Sequence, residues 1–132
     1  MANKDAAFGL KAARMMGGAP YSGGQSRYRI ANNQSGAIFQ GDLVKQLTAG
    51  VVGRAAASST VPVVGVFNGV QYTDPTSGET VFKNHYPGSI AAADIIAFVI
   101  DDPNVVFEIQ ADDTFPVADL FGNFDIVDQS TT

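Results

Sequence analysis

Ile95-Ile-Ala-Phe-Val-Ile-Asp-Asp-Pro-Asn-Val-Val-Phe-Glu-Ile-Gln110 is the stretch on which the fold class turns. Ile95 to Ile100 is apolar throughout, the pattern of a strand covered on both faces. Asp102-Pro-Asn104 then turns the chain, and Val105, Phe107 and Ile109 are set off by Glu108 and Gln110. Two such runs around a short turn predict a β-hairpin.

Outward from that stretch the same grammar repeats. Val61 to Tyr72 is rich in β-branched residues and contains Gly65 and Gly69, which in a strand point to bulges or to close approach of another backbone. Asp74-Pro-Thr-Ser-Gly78 is a turn, because Asp bonds the backbone ahead, Pro presets φ and Gly accepts positive φ. Glu79 to Phe82 resumes a strand. Nearer the N-terminus, Arg27 and Arg29 alternate with Tyr28 and Ile30, Asn32 to Gly36 is a turn cluster followed by the short strand candidate Ala37 to Phe39, and Gly41-Asp42 leads into Leu43-Val44. Val51-Val52 and Ala55 to Ala57 are weaker strand candidates. Phe115 to Phe121 fits one helical turn before a last strand at Asn123 to Val127. The triplet of Gly41 to Val44, Ala93 to Ile96 and Ala118 to Phe121 repeats a small residue, an Asp and two apolar residues. The simplest reason is that Asp satisfies backbone amides where a turn leads into a strand.

Short strands with regular turns and no long helical stripe predict an all-β fold, a small β-barrel or sandwich-like body over residues 27–132. Residues 1–26 read as an extended, flexible N-terminal arm. Ala2 to Met16 has some helical character, but Gly9 interrupts it, and Gly17 to Gly24 holds four glycines and a proline in eight residues. The polar end, Asp128 to Thr132, resembles the start of a loop, so a truncated C-terminus is expected.

The 132 residues suffice for one domain, and seven of the nine phenylalanines follow residue 60, which places most of the core in the second half. With no cysteine there is neither a disulfide nor a thiolate ligand. The N-terminus has no apolar segment of the secretory kind, and Ile95 to Ile100 is too short to span a bilayer, so a soluble protein is expected. The net charge of −5 divides unevenly: residues 1–54 hold seven cations and two acids, and residues 55–132 hold Lys83 against eleven acids. Ends of opposite sign face different neighbours.

No residue set looks built for catalysis. The single histidine, His85, lies in a loop-forming stretch and has neither the companions of a zinc site nor a nucleophile elbow. Asp101-Asp102 and Asp112-Asp113 flank the predicted hairpin, but no EF-hand spacing accompanies them, and a solvated acidic rim is the simpler reading. Gly18 to Ser26 lacks the lysine of a phosphate loop. Arg27, Tyr28 and Arg29 have the residue types that bind nucleic acid, but the acidic body opposes it. No catalytic residue, metal or cofactor is therefore expected, and no nucleic-acid or membrane partner.

Ile38-Phe-Gln-Gly-Asp-Leu-Val44, Val63-Val-Gly-Val-Phe-Asn-Gly-Val-Gln-Tyr72 and Ile95 to Val105 together resemble the head decoration (cement) proteins of tailed bacteriophages, particularly virion structural proteins of marine phages. The resemblance covers residues 27–127 as a pattern of strands and turns. It implies a non-enzymatic protein made in the host cytoplasm that binds the outer surface of an icosahedral capsid and bridges copies of the major capsid protein. It also implies a homo-oligomer, with a trimer favoured. The arm and first strand would bind the shell through Phe8, Leu10, Lys11, Arg14, Met15, Met16, Arg27 and Arg29. The alternative is a receptor- or carbohydrate-binding β module of a phage tail or fibre.

Overall fold

The computed structural model describes residues 9–55, 62–109 and 114–123. Eight strands build two open sheets: β1 (Lys11–Met15), β2 (Ser26–Arg29), β3 (Leu43–Gln46), β4 (Val52–Arg54), β5 (Val63–Thr73), β6 (Thr80–Lys83), β7 (Ile96–Ile100) and β8 (Val105–Glu108). The larger sheet runs in the order β2-β7-β5-β3-β4, all neighbours antiparallel, with β6 beside the C-terminal half of β5. The smaller sheet is the antiparallel pair β1-β8. The fold is all-β, as the strand pattern predicts. The larger sheet is not a closed barrel: its edge strands meet only where Arg29 bridges Val51 in parallel.

That single bridge is supplemented by a side chain. Gln34 Nε2 donates to the Val52 carbonyl at 3.1 Å, and Gln34 Oε1 accepts from the Ala31 N–H at 3.3 Å. A carboxamide thus stands where the next rung of a ladder would be. The curled sheet wraps a core of Ile30, Ile38, Val44, Val52, Phe67, Val70, Tyr72, Tyr86, Ala92, Ile95, Ala97 and Val99. Most of these follow residue 60, but four come from the first half. Tyr86 is fully buried and keeps its hydroxyl satisfied by donating to the Gln34 carbonyl at 2.7 Å.

Three sequence expectations are corrected. The hairpin across Asp101 to Asn104 does not form, since β7 already pairs with β2 on one edge and β5 on the other. No edge is left for β8, and the turn carries the chain into the second sheet. Residues 11–15, read as part of a flexible arm with helical character, are strand β1 paired to β8. Ala37 to Phe39 contributes only an isolated bridge between Ile38 and Tyr86.

Gly65 and Gly69 act as anticipated. A Cβ at Gly65 would collide with the Ile100 carbonyl oxygen, so β5 and β7 could not approach this closely with any side chain there. The β5-β7 register slips between Phe67 and Gly69, and Asn68 at that bulge exchanges hydrogen bonds with Gln25 and Gln40. Asp42 and Asp94 bond backbone amides just before β3 and β7, accepting from Phe39 and Thr73. Val117–Asp119 is the one helical turn among the described tail residues, a 3₁₀ turn, while residues 124–127 of the strand expected at Asn123 to Val127 lie outside the described residues.

Candidate interaction surface

The residues expected to meet a partner fall on two edge strands. Lys11 and Arg14 are exposed on β1, whose only neighbour among the described strands is β8. Arg27 and Arg29 are exposed on β2, alternating with half-buried Ser26 and Tyr28. Ile30 donates to the Ile95 carbonyl, so Ser26, Tyr28 and Ile30 turn their main-chain groups toward β7. Arg27 and Arg29 turn theirs to the other edge, where Arg29 makes the bridge to Val51. The Arg27 main chain is left facing outward on that edge.

Three of these four cations are held by local contacts. The Arg27 guanidinium lies 5.9 Å from the centre of the Phe98 ring and covers an apolar residue on the outer face of β7. Arg29 Nη2 donates to the Ala93 carbonyl at 2.9 Å, and Arg14 Nη1 to the Met15 carbonyl at 3.3 Å. The two pairs of cations occupy different sheets and do not form one cluster.

Of the apolar anchors, Met16 is 63% exposed, whereas Leu10 and Met15 are half-buried. Phe8 lies outside the described residues. Leu10 donates its N–H to the Gly41 carbonyl at 3.0 Å, and beside it the backbones of Gly9 and Gly41 are in contact. From Gly9 onward, then, the chain is docked on the body. Met15 lines a cleft of about 240 Å³ with Tyr21, Gln25, Ser26, Asp101 and Asp102, where β1, the glycine-rich link and the β7-β8 turn converge.

Asp101 is the polar centre of that junction. It accepts from the Tyr28 hydroxyl at 2.6 Å and from Ser26 Oγ at 2.9 Å, which ties the start of β2 to the end of β7. The bond from Tyr28 is the main reason the Asp101 carboxyl lies below its ordinary pKa, with Ser26 adding to it and partial burial opposing it. The same bond raises the Tyr28 phenol. Asp102 bonds the Asn104 N–H at 2.9 Å and shapes the turn. Asp112 and Asp113, considered with these as a calcium site, lie outside the described residues.

His85 is half-buried with its ring stacked on Phe39 at 5.7 Å, a packing contact. Among the described residues, no group of three or more His, Asp or Glu side chains is arranged to hold a metal ion, and no helix is long and apolar enough to cross a membrane.

Sequence reasoning located the exposed cations but missed the Asp101 junction, the glycine crossing and a second cavity. That cavity, about 210 Å³, is lined by Tyr28, Gln46, Gly50, Val51, Val52 and Val64 at the seam between β2 and β4. Gly9, set in an otherwise helix-compatible stretch, was the one signal for the crossing. Comparison with family models, with curated proteins and with solved structures finds no match to this chain.

Proposed function

We propose that this protein is a structural component of a phage virion that binds the outside of the capsid and bridges copies of the major capsid protein. The observation that carries this reading is the pair of short edge strands, β1 and β2, which present Lys11, Arg14, Arg27 and Arg29 while residues 55–132 carry one cation against eleven acids. Edge strands with outward cations suit attachment by strand addition to a protein surface of opposite charge. Binding only to the assembled shell stabilises it by mass action, and repetition over a lattice multiplies weak individual contacts. In this reading the protein is not an enzyme, needs no cofactor, and acts as a homo-oligomer.

The test uses undecorated shells and measures occupancy by three proteins: the full chain, a variant lacking residues 1–8, and the double variant Lys11→Ser/Arg14→Ser. Deletion stops at residue 8 because β1 is the pairing partner of β8. Reduced occupancy for both variants, with their folds intact, supports attachment through the arm and β1. Unchanged occupancy by both removes that role, and no binding by the full chain removes the capsid reading altogether.

A further inference from the structure

Among the described strands, β6 pairs only with β5, so its other edge is open. The Asp74 N–H donates to the Glu79 carbonyl, and the Lys83 carbonyl oxygen lies beside Gly69 of β5. Glu79, Val81 and Lys83 therefore turn their main chains to β5, and by alternation Thr80 and Phe82 turn theirs to the open edge. The side chains sort by face. Val81 packs on the core, and Glu79 and Lys83 project from that same face and are exposed. Phe82, 68% exposed, stands on the opposite face with Thr80.

This edge is complementary to itself. Laid antiparallel on a second copy about a two-fold axis through Val81, Glu79 stands opposite Lys83 of that copy, and Lys83 opposite its Glu79. The same register makes Thr80 and Phe82 a hydrogen-bonded pair, and theirs are the main-chain groups that point outward. A shift of two residues either way keeps that parity but sets Val81 opposite Glu79 or Lys83, so the charges select one register. In it, Phe82 covers Thr80 of the second copy and meets the second Phe82 on the diagonal, within reach of an aromatic ring. No other open edge among the described strands has this property. With their flanking residues, β1, β2 and β4 carry only cations and β8 carries only Glu108, so none offers its own copy an opposite charge.

We propose that two copies of this chain associate through β6, the antiparallel edges joining their larger sheets into one. The contact is isologous, so it closes at a dimer. An edge of four residues is small against the roughly 1,200 Å² at the low end of stable interfaces, so the dimer is weak in solution. This deepens the homo-oligomer part of the function proposed above, with two-fold symmetry in place of the trimer that the resemblance favours. It uses neither β1 nor β2, so shell occupancy and self-association can fail separately.

The test is sedimentation equilibrium from about 0.01 to 1 mM, the range that reads a weak dimer. The samples are the full chain, Glu79→Lys, Lys83→Glu, and an equimolar mixture of the two variants. Both positions are exposed, so the fold is kept, which coincident melting curves verify. Each variant alone sets like charges in both cross-strand pairs, whereas the mixture restores an opposite pair at each end. The expected mass of the full chain rises from 13.8 kDa toward twice that value and no further. Each variant alone should associate more weakly by roughly tenfold or more, and the mixture should recover. A monomeric full chain overturns the proposal. A mass that passes beyond the dimer also overturns it, while leaving the homo-oligomer reading in place. Association indifferent to either substitution, or a mixture no stronger than its components, overturns it as well.

Discussion

Gly9 and Gly41 meet backbone to backbone, and each is irreplaceable for a different reason. A Cβ on Gly9 would lie 2.8 Å from the Gly41 Cα, whereas Gly41 is also held at φ +93°, a conformation that side chains disfavour. Gly9→Ala should therefore undock the start of β1 with little effect on the larger sheet. The check is trypsin cleavage after Lys11 and Arg14, expected to speed up while the urea midpoint barely moves. Gly41→Ala adds strain within the body, because the Gly41 N–H bonds the Phe67 carbonyl, and should cost about 1–3 kcal/mol on the same urea curve. Asp101 supplies a pH dependence. Its folded pKa is lowered, chiefly by the Tyr28 hydroxyl, and that of Asp94 is lowered by Thr73. A carboxylate with a depressed folded pKa contributes stability above its unfolded pKa, near 3.9, and loses it as pH falls through the folded value. Thermal stability should thus drop below about pH 4, and Asp101→Asn should lower stability at pH 7 while flattening that acid limb. A melting temperature series from pH 7 to pH 2 on both proteins reads the difference.

At the scale of elements, the larger sheet depends on how its two edges are brought together. One parallel bridge and the Gln34 carboxamide join β2 to β4. Gln34→Ala would leave the Val52 carbonyl without that donor and the Ala31 N–H without that acceptor, a loss of about 1–2 kcal/mol. Urea unfolding should show a lower midpoint with an unchanged slope, since the surface exposed on unfolding is nearly the same. A change in slope instead would mean that the seam opens before the sheet does. The strands themselves were largely legible: alternation marked β2, and runs of β-branched and aromatic residues marked β5 and β7. Their partners were not. Periodicity says which residues share a face, but the edge a strand offers depends on what already occupies it. β7 lies between β2 and β5, so the apolar run and the alternating run around Asp101 to Asn104 belong to different sheets. β1 escaped notice for a related reason. Its pattern is weak, and β8 and the Gly41 contact, both distant in sequence, are what hold it. The exposed cations could be read from composition, whereas the seam cavity is built by four strands and a turn and has no signature in any one segment.

For the molecule as a whole, the opposed charges of its two halves invite the view that the proposed attachment to a shell is electrostatic, but magnitudes argue otherwise. Lys11, Arg14, Arg27 and Arg29 are exposed, and an exposed ion pair contributes only about 0.2–1 kcal/mol, less as salt rises. Met16 is 63% exposed, and burying that remaining apolar surface against a partner is worth about 1–2 kcal/mol, as much as or more than any single exposed pair. The docking of β1 on β8 and Gly41 fixes part of the arm beforehand, so less conformational entropy opposes binding than a wholly free arm would incur. Apolar contacts should therefore set the strength of attachment, and charge its rate and orientation. Raising sodium chloride from about 0.05 to 0.5 M shortens the screening length from roughly 14 to 4 Å, which removes most of the contribution from exposed pairs. On undecorated shells, occupancy at saturating protein should fall only slightly over that range, while the association rate falls severalfold. Met16→Ser should do the reverse, reducing occupancy at both salt concentrations with the rate nearly unchanged. Complete release at high salt, together with an indifferent Met16→Ser, would mean that the cations carry the attachment and that the apolar anchors do not.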